Sequence, residues 1–329
     1  MRDEILVDGH NDLPFAARTQ VGHDLSRLDL AAGRQSVRTD IPRLRAGGLG
    51  AQFWSAYVPD DLAPGAAVVA TLEQIDFIRR LAETYPSTFA LARTAADVRR
   101  TFAAGRIAGL IGLEGGHSIG NSLAVLRMFA ALGARYLTLT HNATTNWADS
   151  ATDVAVHDGL TSFGLEVVAE LNALGMLVDL SHVAATTMHA ALDVSVAPVI
   201  FSHSCCRAVC DVPRNVPDDV LRRLTGNGGV VMISFVPGFL TADRTAGVAD
   251  VADHIDHACA TAGVDCVGIG SDFDGCSTLP DGLEDVGTYP VLLAELLRRG
   301  YEEADVVKIM GGNILRVLEA AERIASSDR

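Results

Sequence analysis

A closed (β/α)8 TIM barrel is the fold class this sequence predicts, on three observations. Short apolar runs rich in Val, Ile and Leu recur along the chain, with longer amphipathic stretches between them. Eight such runs occur in 329 residues, the strand count and length of one α/β barrel. His, Asp and Glu residues cluster at the C-terminal ends of those runs, the end at which barrel enzymes place their sites.

The runs fall at residues 5–7, 50–58, 107–113, 136–140, 176–180, 199–201, 230–235 and 266–270. They are apolar on successive residues, which suits strands of a parallel sheet covered on both faces. Helical stretches lie between them at 66–84, 123–132, 162–174, 184–192, 218–224, 248–262 and 289–299. A last one, 302–324, follows strand eight. An open doubly wound sheet is the alternative topology, but no GxGxxG follows a strand. No linker, repeat or low-complexity tract interrupts the pattern, so residues 1–329 read as a single domain.

Hydrophobic residues make up 49% and charged residues 20%, enough for a large core. Net charge is −15 and the pI near 5.0, which excludes the basic stripe that nucleic-acid binding needs. The six cysteines form no CxxC, and the chain is neither small nor Cys-dense, so free thiols are expected. Met1-Arg2-Asp3-Glu4 runs straight into a strand-like segment, and no apolar run reaches the ~18 residues of a membrane span. No hydrophobic tail precedes Arg329. The expectation is a cytoplasmic protein without a membrane anchor.

The polar residues at the strand ends carry the chemistry. Strand one leads into His10 and Asp12, strand three ends on Glu114, and strands four, five and six end on His141, His182 and His203. Strand eight ends on Asp272. Two residues apart in extended chain, His10 and Asp12 point the same way and can grip one ion. His182 and His203 come from neighbouring strands and can grip another, with Glu114 bridging. Paired ions ~3.5–4 Å apart lower the pKa of a shared water and present hydroxide at neutral pH. The one lysine, Lys308, lies in the helix after strand eight, too far to bridge as a carboxylated lysine.

A single strand-end histidine is ordinarily a hydrogen-bonded loop residue, and His23, His157, His189, His254 and His257 are read that way. Six strands delivering such groups to one mouth is a different matter. Ser181 and Ser202 lack a GxSxG elbow, so neither reads as a nucleophile. A Cys205 or Cys206 nucleophile would leave the other strand-end groups unexplained.

These segments resemble the renal, or membrane, dipeptidases of the amidohydrolase superfamily. The likeness begins at Val7-Asp8-Gly9-His10-Asn11-Asp12-Leu13-Pro14 and continues through Gly112-Leu113-Glu114-Gly115-Gly116. It runs on through Leu137-Thr138-Leu139-Thr140-His141-Asn142, Asp179-Leu180-Ser181-His182 and Ser202-His203-Ser204. It ends with Arg214-Asn215-Val216-Pro217-Asp218-Asp219, Gly270-Ser271-Asp272-Phe273-Asp274-Gly275 and Gly311-Gly312-Asn313-Ile314-Leu315-Arg316-Val317. The resemblance implies two Zn2+ held by His10, Asp12, Glu114, His182 and His203, with Glu114 bridging. It also implies that His141 contacts the substrate carbonyl, Arg214 binds the substrate carboxylate and Asp272 handles protons.

The expected activity is hydrolysis of dipeptides, L-Xaa-L-Xaa and L-Xaa-D-Xaa, by attack of a metal-bridging hydroxide. The expected partners are small dipeptide substrates, and the expected assembly is a homodimer. The alternative is another hydrolase of the superfamily acting on a different amide, ester or lactone.

Overall fold

The computed structural model describes residues 3–33, 36–242 and 245–327. Nine parallel strands form its sheet. They are β1 (Leu6–Asn11), β2 (Leu49–Tyr57), β3 (Phe89–Leu91), β4 (Ile107–Glu114), β5 (Ala134–Thr138), β6 (Leu177–Asp179), β7 (Ile200–Ser204), β8 (Val230–Ile233) and β9 (Val267–Ile269). β1 pairs with both β2 and β9, and β2 pairs with β4, so eight strands close into a barrel. The (β/α)8 expectation is met.

The ninth strand is the correction to the predicted eight. β3 lies beside the first half of β4, Phe89 opposite Ile107 and Leu91 opposite Gly109. β5 takes the same edge of β4 from Ile111 onward. Three residues are too few to show a period, which is why β3 is invisible in the sequence. The helix Ala95–Ala103 that follows was likewise not foreseen, although Thr94 and Asp97 form a capping box at its start. The predicted helix at 302–324 is three pieces, Glu303–Val307, a π-helical turn Lys308–Gly312 and Asn313–Ser327. Gly311 lies in that turn, where an added Cβ would stand 2.3 Å from the Ile5 carbonyl oxygen.

Alternation along the strands divides the core in two. Leu110, Val230 and Met232 belong to one hydrophobic cluster, and their neighbours Ile111, Val231 and Ile233 to another. The first cluster includes Tyr136 and Phe53, and the helix Asn313–Ser327 adds Ile314, Val317 and Leu318 to it. The second gathers residues of the surrounding helices, such as Phe77, Phe129 and Leu224. A period-2 strand in a barrel sends alternate side chains inward and outward in this way.

Gly112 makes room for the ring beneath the site. A Cβ there would lie 2.0 Å from Cζ of Tyr136, which is fully buried. Gly112→Ala is therefore expected to lower stability by about 3 kcal/mol, at the upper end of the cost of overpacking. Urea unfolding would measure it, and a change below about 0.5 kcal/mol would mean that the ring moves freely.

Candidate metal centre

The barrel's C-terminal mouth gathers all six predicted groups. β1 carries His10, and the backbone turns at Asp12 into the helix Leu13–Val21. Glu114 is the last residue of β4, and His203 lies within β7. His141, His182 and Asp272 each stand three residues beyond their strand, on the loop rather than on the strand end. His182 and Asp272 adopt φ of 70° and 66°, a left-handed conformation uncommon in non-glycine residues. Such backbone persists where surrounding structure imposes it, and it clusters at functional sites.

Glu114 sits at the centre. Its Oε2 lies 3.3 Å from His10 Nε2, and its Oε1 lies 3.1 Å from His182 Nε2 and 3.4 Å from His203 Nε2. His10 Nε2 is also 3.3 Å from Asp12 Oδ2 and 3.9 Å from Asp272 Oδ1. Oε2 thus faces the His10 nitrogen, and Oε1 faces those of His182 and His203. Ligands held at about 2.0–2.2 Å around one tetrahedral ion stand roughly 3.3–3.5 Å apart, so these spacings suit cations. His10 Nε2, Asp12 Oδ1 and His182 Nδ1 are buried polar atoms with no hydrogen-bond partner among the described residues. Buried groups of this kind are satisfied in proteins by an ion or water. Among the described residues, three groupings meet the spacing for a metal: His10, Glu114 and His203; Glu114, His141 and His182; and His10, Asp12 and Asp272.

The electrostatics agree. Burial, the Arg214 charge and, for His203, the nearby His10 hold His182 and His203 well below the ordinary histidine range. Both are then neutral imidazoles, the form that ligates. Burial alone would lower His10 too, but Tyr136, Glu114 and Asp12 lift it well above its usual value. A nitrogen that carboxylates load with a proton is one at which they also favour a metal cation. Burial would raise Glu114, yet His10, His182 and His141 hold it far down as a carboxylate. Asp272 goes the other way: burial, with Asp12 and Glu114 beside it, pushes it well above the carboxylate range although His10 opposes.

Supporting residues surround these groups, and several were not foreseen. Asp8 is buried and accepts from Ser271 N at 2.7 Å, Ser271 Oγ at 2.7 Å, Tyr289 Oη at 2.7 Å and Gln52 Nε2 at 3.0 Å. Those four bonds tie β1 to β2, to the turn after β9 and to the helix that begins at Tyr289. Ser55 Oγ donates to Glu114 Oε2 at 2.9 Å. Asp60, in the loop after β2, lies 2.7 Å from His141 Nδ1 and 3.6 Å from His117 Nδ1. Its carboxylate and Glu114 raise His141 against the lowering effect of burial. Gly275 allows Asp12 and Asp272 to converge, since a Cβ there would meet Asp272 Oδ1 at 2.3 Å and Asp12 Oδ2 at 2.4 Å.

A cavity of about 430 Å3 opens over the cluster, lined by Asp12, Phe15, Tyr57, Glu114, His141, His182, Asp272 and Asp274 among others. Arg214 is not part of that lining. It lies buried behind His203, with Nη1 donating to Ser204 Oγ at 2.8 Å and Nη2 to the His203 carbonyl at 3.0 Å. Phe239 lies 5.1 Å from its Cζ. No carboxylate among the described residues reaches within 4.0 Å of it, and its Nε has no partner. Burial pulls its pKa down to about 10 although Asp272, Glu114 and Asp179 oppose.

The remaining candidates fall elsewhere. Cys205 and Cys206 are free and buried, and burial pushes the Cys205 thiol up to about 12, far from a reactive thiolate. Lys308 pairs with Asp265 and Asp305. His254, buried on its helix, bonds Cys206 N and the Leu240 carbonyl. His23 meets Gln74, His157 the Thr145 carbonyl, His189 Asp219 and His257 Asp218.

Comparison with known proteins decides the family. Residues 1–329 match the family model described as Membrane dipeptidase (Peptidase family M19). The chain belongs to this family.

Among the relatives, mouse (Mus musculus) Dipeptidase 3 is 48% identical over 329 residues, covering 98% of this chain. The chain spans 66% of that relative's length. A metallo peptidase from Rhodobacter sphaeroides, liganded with a phosphinate mimic of the dipeptide L-Ala-D-Ala, superposes with a TM-score of 0.88 at 29% identity. It covers 97% of this chain and 99% of that one. The metallo peptidase dipeptidase AC superposes equally well, at 28% identity and with the same coverage.

The family membership corrects one expectation. The cytoplasmic location read from the sequence is overturned, because the matching family is that of membrane dipeptidases and its named relatives are Dipeptidase 3 proteins, which point to a membrane-associated or extracellular setting. That expectation rested on the absence of apolar segments within these residues, and such segments report only on themselves. Among the described residues, no helix is long and apolar enough to cross a membrane.

Proposed function

We propose that this chain is a zinc-dependent dipeptidase that hydrolyses the peptide bond of dipeptides, with L-Xaa-L-Xaa and L-Xaa-D-Xaa both among its substrates. The observation that carries the reading is the three imidazole nitrogens facing the two oxygens of Glu114, beside a buried arginine with no counter-anion within 4.0 Å among the described residues. The family supports it, and the L-Ala-D-Ala mimic bound by the Rhodobacter sphaeroides protein supports tolerance of a D-residue.

His10 and Asp12 would hold one zinc and His182 and His203 the other, with Glu114 placed to serve both. The two ions, when bound, supply an activated water and positive charge for the carbonyl oxygen. Asp272 accepts a proton and returns it to the leaving amine, a task favoured by the rise in its pKa that burial and the neighbouring Asp12 and Glu114 cause. His141, held at Nδ1 by Asp60, presents its other ring nitrogen to the substrate carbonyl oxygen. Arg214 receives the C-terminal carboxylate. A longer peptide would bring a neutral amide there instead, which limits the enzyme to short substrates. Two copies of the chain form the working homodimer.

Zinc content and hydrolysis of a small set of L,L and L,D dipeptides test the reading together. Two zinc per chain with dipeptide cleavage is expected. Two zinc with no cleavage would move the function to another amide, ester or lactone, and no bound metal after zinc addition would overturn it. Arg214→Ala is expected to reduce kcat/KM by roughly 100-fold, chiefly through KM, as charge-assisted hydrogen bonds worth about 3 kcal/mol are lost. An unchanged KM would remove Arg214 from substrate binding.

A further inference from the structure

We infer that Asp179 and Ser202 are positioning residues that set the tautomer of His203 and thereby strengthen one of the two metal positions. The inference rests on the metal-centre reading above. Asp179 ends β6, is fully buried and has no part in the reaction as derived. Four donors converge on its carboxylate: Thr138 Oγ1 at 2.5 Å, Ser202 Oγ at 2.6 Å, Ser202 N at 2.8 Å and Ser181 N at 3.1 Å. It acts as an acceptor in all four.

Ser202 has a single hydroxyl proton, and the 2.6 Å contact commits it to Asp179. The same oxygen lies 2.9 Å from His203 Nδ1. It can therefore only accept there, so the shared proton belongs to Nδ1. A neutral imidazole protonated at Nδ1 keeps its lone pair on Nε2. That is the nitrogen 3.4 Å from Glu114 Oε1 and 2.9 Å from His182 Nε2. Carboxylate, hydroxyl and imidazole form a chain in which each hydrogen bond polarises the next, making Nε2 a better ligand.

The other two imidazoles lack this support. His182 Nδ1 has no partner. His10 Nδ1 meets the neutral Tyr136 hydroxyl at 2.9 Å, whose own donation to the Gly9 carbonyl is long at 3.4 Å. The relay therefore acts on His203 alone.

Two measurements test it. Zinc is titrated in competition with a chromogenic chelator into wild type, Ser202→Ala and Ser202→Thr. The alanine variant is expected to bind one ion about 10–100-fold more weakly and the other unchanged, with threonine restoring the affinity. In parallel, histidine 15N NMR of the zinc-free wild type is expected to find His203 protonated at Nδ1. Unchanged affinity for both ions in Ser202→Ala, or His203 protonated at Nε2, would overturn the relay. The NMR arm decides if the alanine variant does not fold. Wild type that binds no zinc at all would instead overturn the metal reading beneath it.

Discussion

Replacing Asp272 by Asn is expected to lower kcat by about 10²–10⁴-fold with both zinc ions retained. The amide keeps the shape of the carboxyl group but cannot accept the proton. Asp272 is placed for that proton by the turn after β9, whose left-handed φ of 66° holds it at the mouth. Its nearest ring nitrogen, His10 Nε2, is 3.9 Å away, longer than the 3.3 Å from that nitrogen to Asp12 or Glu114. The ion pair of His10, Asp12 and Glu114 should therefore survive the change. Steady-state kinetics with metal analysis on the same sample separates the two properties. Loss of an ion together with activity would make Asp272 a ligand, the role that its grouping with His10 and Asp12 also permits.

Glu114→Ala is expected to abolish stable binding of both ions. Among the described residues, no other carboxylate lies within 4.0 Å of both His10 and the His182–His203 pair: Oε2 serves His10 and Oε1 serves His182 and His203. Without it three imidazoles face one another, with His182 and His203 nitrogens only 2.9 Å apart, and their side of the site loses the carboxylate that faces it. Ser55 loses its acceptor as well. Dialysed protein should contain no zinc, against about two per chain in wild type. Melting temperature gives an independent check. Ions that bind only the folded chain stabilise it by about 4 kcal/mol at a thousandfold excess over Kd. Chelator should thus lower the wild-type Tm and leave the variant's unmoved. A variant that still holds both ions would remove Glu114 as the bridge.

Much of this was legible in the sequence because its signals are local. A buried strand is a short apolar run, and a group at its C-terminal end lands at the barrel mouth whatever the loops do. His10, Asp12, Glu114, His182, His203 and Asp272 were readable for that reason. The roles of His141 and Arg214 were readable only through family resemblance, since neither spacing nor composition distinguishes them. The setting that the family name points to was not legible, because nothing in these residues' apolar pattern carries it.

What the sequence determined by itself was the barrel, the order of its strands and the residues delivered to its mouth, since hydrophobic period and strand polarity are properties of consecutive residues. Tertiary structure alone decided the rest. It brought Asp60 to His141 across 81 positions, Asp8 to Tyr289 across 281, and Asp179 through Ser202 to His203. It slipped β3 against the first half of β4 and left Arg214 buried, with no carboxylate of the described residues within 4.0 Å. Those contacts depend on which strand ends meet when the sheet closes, and no window of sequence contains both partners.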